Sequence, residues 1–353
     1  MDLLVWDRDL ARNWSLITIA SVEDFPSPFT RIGPGVNNMI KPDLVGRGGD
    51  LTLENGSGPV IDPSMGVITT EKDFRTEGLF TSESGTSISA AEISHLAAKL
   101  RRDFPDATSN LIKALLTASA KIPEFRPSPL DKLNLKSGSA QDLSSLLNIY
   151  GHGRPSFGKA FSIRNRVLLI DESELNPDEI TVYEIPVPEV FYSGGGRRAI
   201  SVILAFDPPT RPKRKEYIGT TMEFHLFGDV DVEQITQKYA KMVDSDAEDE
   251  CSSEGLNQLD HNEINLVPGI NLARKRTIQK RMWIIDGDSK RRYDSLKLVV
   301  TCKNKWLEYE DYKQRYAVVV TIEQREMVEL YNEIEAKINA QIRVPLRTKI
   351  HTS

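Results

Sequence analysis

The stretch SESGTSISAAEISHLAAKLRRDFPD, residues 82–106, places a small polar turn directly before a long amphipathic segment. Apolar residues recur in it at spacings of three and four: Ile93, Leu96, Leu100 and Phe104. Because charged residues occupy the other side, this spacing predicts an amphipathic helix over 86–104. Ser87 lies where the helix begins, which raises the question of whether it only caps the helix or does chemistry.

Two roles fit a serine at this position. Serine before a helix usually caps it by accepting a hydrogen bond from an unpaired backbone N–H. The same place also suits a nucleophile, because the first amides and the helix dipole stabilise the negative charge that develops beside an attacked carbonyl. Small neighbours would let a substrate backbone come close to Ser87: Gly85, Ser89, Ala90 and Ala91.

The first 158 residues combine strand-like and helix-like segments. SLITIASV (15–22) is a compact β-branched run typical of a buried strand, and residues 23–85 are predicted to form loops with short strands. A second helix is predicted over 108–119, with Thr108 or Ser109 as its N-cap. This mixture indicates an α/β domain over residues 1–158.

After residue 158 the chain consists mostly of short β-branched runs separated by Pro- and Gly-rich turns, which predicts an antiparallel β-sandwich, jelly-roll-like, over 159–353. In MEFHLF (222–227) the alternation predicts one buried face and one wet face. The predicted strands are RVLLID, EITVYEI, RAISVILAF, MEFHLF, SLKLVV and YAVVVTI. Four aromatic side chains are expected to pack in the sandwich: Trp283, Trp306, Tyr316 and Tyr331.

Two charged stretches interrupt this second part. VDSDAEDECSSE (243–254) holds six acids and no base, which predicts a solvated, mobile acidic loop at about 243–260. RKRTIQKRMW (274–283) is basic and is expected to be a solvated surface, with docking on the acidic loop or on a partner as the alternative.

Composition limits the classes of function. The 353 residues are 39% hydrophobic and 27% charged, and the formal net charge of −6 gives no general case for binding nucleic acid or a membrane surface. The N-terminal residues do not fit a secretory signal, and two separated cysteines, Cys251 and Cys302, do not indicate a disulfide framework. We therefore expect a cytoplasmic protein. No cofactor-binding or metal-binding motif is present, so we expect no cofactor and no metal.

GTSISAAEISHLAAKL resembles the serine signature of subtilisin-like peptidases, G-T-S-M-A-x-P followed by a helix. The resemblance places Ser87 at the family's nucleophile position. Further segments resemble the family in its own order: SLITIASVED (15–24), SPFTRIGPG (27–35), IKPDLVGRGGD (40–50), NLIKALLTASA (110–120) and GHGRPSFGKA (151–160).

The chain also departs from the family. Ala91 stands where the family generally has proline, and Glu92 where it often has a histidine that is not the catalytic one. The family's triad order is Asp, His, Ser. No histidine precedes Ser87, and neither the Asp and His motifs nor the oxyanion-hole asparagine is found.

The five histidines are poor candidates for the missing base: His95, His152, His225, His261 and His351. His95 lies eight residues after Ser87 on the same helix, about 12 Å along its axis. His152 sits in a loop whose place the sequence does not fix, and His225 lies on a strand's polar face. The last two are in a polar loop and the tail.

The resemblance implies a serine endopeptidase that acts on peptides or proteins by acyl transfer through Ser87, with residues 1–158 as the rear portion of a parallel-sheet domain. Lacking the Asp and His motifs, the chain is expected to be nearly inactive alone. It would then be part of a longer peptidase, or be completed by a separate N-terminal half or another protein. A parallel sheet without its leading units also exposes apolar surface. The alternative is a non-catalytic binding or scaffolding protein derived from a subtilase.

Overall fold

The computed structural model describes residues 17–54, 58–161, 166–192, 196–213, 216–245, 261–287, 292–307, 312–324 and 346–349. Within these residues the α-helices are α1 (Thr86–Asp103), α2 (Ser109–Ser119), α3 (Ala140–Tyr150), α4 (Glu189–Tyr192), α5 (Val232–Ser245) and α6 (Ile270–Ala273). Short 3-10 turns occur at Val36–Asn38, Pro63–Met65, Leu130–Lys132 and Phe157–Lys159.

The strands of the first part are β1 (Ile17–Ile19), β2 (Thr52–Glu54), β3 (Pro59–Val60), β4 (Val67–Thr70) and β5 (Phe80–Glu83). Strands β1, β2 and β3 form one small sheet, and β4 and β5 form a hairpin that leads into α1. Every strand pair of the described residues is antiparallel. The parallel sheet implied by the resemblance is therefore not found among them, because β1 pairs with the nearby β2 instead of a parallel neighbour.

The second part contains β6 (Arg166–Leu175), β7 (Glu179–Ile185), β8 (Arg198–Phe206), β9 (Thr220–Gly228), β10 (Ile278–Ile285), β11 (Leu296–Asn304), β12 (Gln314–Gln324) and β13 (Leu346–Lys349). These strands form two four-stranded sheets in the orders β10-β8-β12-β6 and β13-β7-β11-β9. In the first sheet Val202 of β8 lies opposite Val320 of β12, and in the second Phe224 of β9 lies opposite Val300 of β11.

Both sheets contribute alternate side chains to one hydrophobic core. Val202 and Val320 come from the first sheet, Phe224 and Val300 from the second, and all four are almost fully buried. Because successive side chains of a strand point to opposite faces, the intervening residues face away from this core. The outer face of each sheet must then be covered by another element or by water.

Helices cover both outer faces. Helix α2 packs Leu111 and Leu115 against Ile203 and Val319 of the first sheet, and α5 packs Ile235 over the second. The predicted alternation of MEFHLF is confirmed on its buried face. The prediction that its other face, with Glu223 and His225, is wet is wrong in part: Glu223 is buried, and Phe227 on the same face is fully buried beneath α5.

Basic side chains of the second part bind carbonyl groups at the ends of α2 and α3. Lys280 Nζ donates to the carbonyls of Thr117 (3.0 Å) and Ala120 (2.7 Å), and Arg166 donates to Ala118 O at 2.9 Å. Such cations satisfy carbonyls that lack intrahelical partners and complement the negative end of the helix dipole. The two parts of the chain therefore contact one another through hydrogen bonds as well as apolar packing.

The basic stretch 274–283 is thus not simply a solvated surface. It enters β10, where Arg281 donates to the carbonyl of Phe224 at 2.8 Å, and Arg276 donates to that of Leu147 in α3 at 3.1 Å. Arg274 and Lys275 are its exposed basic residues. The prediction that this stretch is a solvated surface is therefore wrong. Strand β10 lies between two packed layers, and its cationic side chains donate hydrogen bonds to backbone carbonyls.

Several other predictions can be compared with the structure. The two predicted helices are confirmed, with Thr108 as the N-cap of α2. Tyr316 is buried in the core shared by the two four-stranded sheets, and Trp283 packs against that core. Helix α5 extends through Ser245, so residues 243–245 of the predicted acidic loop are helical instead. Four predicted features lie outside the described residues: 246–260, Cys251, Tyr331 and His351.

Candidate functional site

Ser87 lies in the first turn of α1 and does not cap it. The N-cap is Gly85, at φ +152°, and no side chain accepts a capping hydrogen bond there. The amide of Ile88 donates to Gly85 O at 3.1 Å, and the amide of Gly85 donates to Gly48 O at 2.7 Å. The alternative role of Ser87 as a helix cap is therefore wrong: glycine supplies both the bend and the first acceptor, and the serine side chain is exposed.

The glycine-rich segment 46–50 runs beside the start of α1. A Cβ on Gly48 would stand 2.6 Å from Ser89 Oγ and 2.8 Å from Gly85 O, so only glycine permits this approach. Ser89 Oγ donates to Gly46 O at 3.1 Å, and the amide of Arg47 donates to Glu92 Oε2 at 2.6 Å. These contacts hold the turn before Ser87 in one position. Glu92 has a structural role here.

The electrostatic environment of Ser87 favours an anion. The first turn of α1 contains no acidic residue, and Arg101 and Arg102 lie in the last turn, where they complement the dipole. Among the described residues neither the amide nor the hydroxyl of Ser87 has a hydrogen-bond partner. A free N–H beside a free hydroxyl can stabilise an oxyanion formed by attack of that hydroxyl.

The four histidines of the described residues either form contacts away from Ser87 or lie at a distance from it. His95 is exposed, two turns further along α1. His152 is buried with Nε2 2.8 Å from Ile278 O, and burial beside Arg276 holds its pKa well below the usual range. His225 contacts Glu263 at 2.6 Å, and His261 is in an exposed turn. The described part of the chain therefore places no imidazole at Ser87.

The part of the chain that bears Ser87 also exposes most of the large apolar side chains. Only Leu100 of α1 is buried, although the helix is 18 residues long. In the hairpin before it, Ile68 and Phe80 are 53% and 68% exposed. Among the described residues, the large exposed apolar side chains fall within residues 22–125, with Ile170 as the one exception. They are Val22, Ile32, Val36, Leu53, Ile61, Ile68, Phe74, Leu79, Phe80 and Phe125. The large exposed apolar side chains of the described residues are therefore concentrated in the part of the chain that bears Ser87.

Sequence reasoning located Ser87 but missed the residues that position it. Gly48 and Gly85 were seen only as parts of motifs, and their need for close approach depends on which segments meet in three dimensions. No group of three or more possible metal ligands occurs among the residues that the structure describes. In the same residues, none of the helices has the length and apolar character needed to cross a bilayer.

Comparison with known proteins identifies the family. The model of the subtilase family, Peptidase S8, matches residues 8–153. The chain is also similar to the uncharacterized protein y4bN of Sinorhizobium fredii (strain NBRC 101917 / NGR234). The two are 34% identical over 345 residues, which cover 95% of this chain and 75% of that protein.

Proposed function

Because the chain belongs to the subtilase family, we propose that it carries the nucleophile of a subtilisin-type serine endopeptidase, which hydrolyses peptide bonds through an acyl-enzyme on Ser87. The observation that carries the proposal is the state of Ser87 itself. Its side chain is exposed in the first turn of an 18-residue helix, and its hydroxyl is not used as a cap.

In the proposed mechanism Ser87 Oγ attacks the carbonyl carbon of the scissile peptide bond while a histidine takes the hydroxyl proton. The carbonyl oxygen becomes an oxyanion, which accepts a hydrogen bond from the Ser87 amide at the positive end of α1. The histidine then gives its proton to the leaving amine, and water hydrolyses the ester. Gly48 keeps the glycine-rich segment close to α1 without a side chain in the way.

We propose that the base and its aspartate come from polypeptide other than the described residues, either further sequence of the same protein or a second chain. The exposed apolar side chains of the β4–β5 hairpin support this idea, since Ile68 and Phe80 would be covered by such a segment. Without a base the hydroxyl is a weak nucleophile. The chain alone should therefore be nearly inactive.

The alternative is a binding or scaffolding protein derived from a subtilase. The alternative is favoured by the contacts of two histidines, because His152 is buried against the carbonyl of Ile278 and His225 contacts Glu263. In that case the second part of the chain and its charged surfaces would carry the function.

We also propose that the second part is a jelly-roll-like β-sandwich domain that begins near residue 159. The support is the single core shared by the two four-stranded sheets. A cytoplasmic location is proposed as well, supported by the free, buried thiol of Cys302.

Labelling with a fluorophosphonate probe tests the function. The 353-residue chain alone, and the protein isolated with its natural partners from source cells, are compared with Ser87→Ala in each setting. We expect labelling of the isolated native protein that Ser87→Ala abolishes, and labelling of the chain alone that is slower by about a thousandfold, the contribution of a positioned base. Absence of Ser87-dependent labelling in the native protein would exclude the peptidase and favour the scaffold.

A further inference from the structure

A groove lies where the loop at 37–39 meets the second part of the chain. It consists of two adjoining cavities of about 210 and 280 Å³ that share Thr221, Arg274 and Lys305 as lining residues. Met39 and Tyr217 contribute apolar and aromatic surface to the smaller cavity, of about 210 Å³. The groove is separate from the turn that holds Ser87.

Positive charge predominates in this groove. Its cationic side chains are Arg274, Lys275, Lys303 and Lys305, and its acidic ones are Glu216 and Glu223. Arg274 Nε donates to Glu223, so this pair is internally neutralised. The ammonium groups of the three lysines are exposed, and none forms an ion pair with a carboxylate of the described residues. The excess of cations contrasts with the net charge of −6 of the whole chain.

Main-chain contacts hold the lysines in place. The amide of Lys305 donates to Gly219 O at 3.0 Å, and the carbonyl of Lys275 accepts from the amide of Ile40 at 3.0 Å. Lys303 lies opposite Thr221 in the register of β11 with β9. Since the backbone of each lysine is fixed, a ligand would not have to order it on binding.

We propose that this groove binds an acidic segment of another polypeptide. Carboxylates of an extended Asp- or Glu-rich segment would pair with Lys275, Lys303 and Lys305, while its backbone and side-chain stems contact Tyr217 and Met39. The fit is one of charge complementarity, which steers association and fixes register. A nucleic acid is the competing polyanion; its phosphates would extend beyond the groove over a chain of net charge −6, which disfavours it. The proposal does not depend on the activity of Ser87.

Fluorescence anisotropy with a fluorescein-labelled oligoglutamate peptide tests the proposal on the 353-residue chain. We expect binding that weakens when salt is raised from about 0.05 to about 0.5 M, since exposed charge pairs are screened. Lys303→Glu with Lys305→Glu should weaken binding by about tenfold or more, because two attractions become repulsions. The neutral pair Lys303→Gln with Lys305→Gln should give a smaller loss.

Lys72→Glu with Lys132→Glu is the matched control, since it changes the net charge equally at exposed lysines outside the groove. It should leave the affinity within about twofold. Equal losses in the control and groove variants, or no binding by the wild type, would overturn the proposal. Two further results would also contradict it: tighter binding of an oligonucleotide than of the peptide through the same lysines, or peptide binding only after the acids of 246–254 are neutralised.

Discussion

Lys280 should make the stability of the protein depend on pH in a measurable way. Its ammonium nitrogen donates to two carbonyls at the end of α2, at 3.0 and 2.7 Å. Burial, with a smaller contribution from the neighbouring Arg166 cation, lowers the pKa of Lys280 to about 7. In an unfolded chain a lysine has a pKa of about 10.4.

The difference between these pKa values fixes the sign of the effect. Between pH 7 and about 10 the unfolded state binds more protons at this lysine than the folded state, so the free energy of unfolding rises with pH. From pH 7 to 9 this single group should contribute about 2 kcal/mol, with a limiting slope of about 1.4 kcal/mol per pH unit. Below pH 7 both states are protonated at Lys280 and its contribution levels off.

Urea unfolding of the wild type and of Lys280→Met at pH 6, 7, 8 and 9, followed by tryptophan fluorescence, measures this contribution. The difference in free energy of unfolding between the two proteins should grow in favour of the wild type by about 2 kcal/mol from pH 7 to 9. Lys303→Met is the control, because that side chain is exposed in the folded state. Parallel curves for the wild type and Lys280→Met would refute the reasoning.

Three further outcomes are expected. Ser87→Ala should leave the free energy of unfolding within about 0.5 kcal/mol of the wild-type value. Thr108→Ala should lower it by about 1 kcal/mol, because Thr108 Oγ1 accepts a hydrogen bond from the amide of Leu111 in α2. Thermal denaturation of the two variants measures the difference. Cys302 is buried and its pKa is raised to about 12, so peptide mapping after iodoacetamide treatment of the native protein at pH 8 should find it unmodified, and labelled only after unfolding. Leu115→Ala should cost about 2–5 kcal/mol in chemical denaturation, since Leu115 is fully buried between α2 and the first sheet; a cost below 1 kcal/mol would mean that this contact is loose.

The parts of the fold that follow a regular hydrophobic period were predictable from the sequence. Helix α1 was found from the spacing of Ile93, Leu96 and Leu100, and its observed end differs from the expected one by a single residue. The runs rich in β-branched residues all became strands. Apart from the exposed Ile170, most of the pattern-defining residues whose burial the structure describes are buried or half-buried, so local pattern and packing agree.

Elements whose side chains contact residues far away in the sequence were not predictable. Strand β10 carries Lys280 and Arg281 at positions that resemble an exposed charged surface, but both bind carbonyls of other elements. Helix α3 and the burial of Phe227 beneath α5 depend equally on contacts far apart in sequence. The candidate site divides in the same way: a motif revealed Ser87, whereas the structural role of Glu92 required the position of Arg47.

The distribution of burial around Ser87 bears on how the site would be completed. Helix α2 is buried against the first sheet and its last turn is bound by Lys280 and Arg166, so this side of the first part is held by the rest of the chain. Helix α1 buries only Leu100 and presents Ser87 on the opposite, exposed side. The turn before Ser87 is nevertheless fixed by Gly48. A segment that supplied the histidine would therefore bind to a surface that is already formed. It would gain apolar contacts on binding. The Ser87 hydroxyl, the Ser87 amide and the helix dipole would keep the geometry that they have in the absence of that segment.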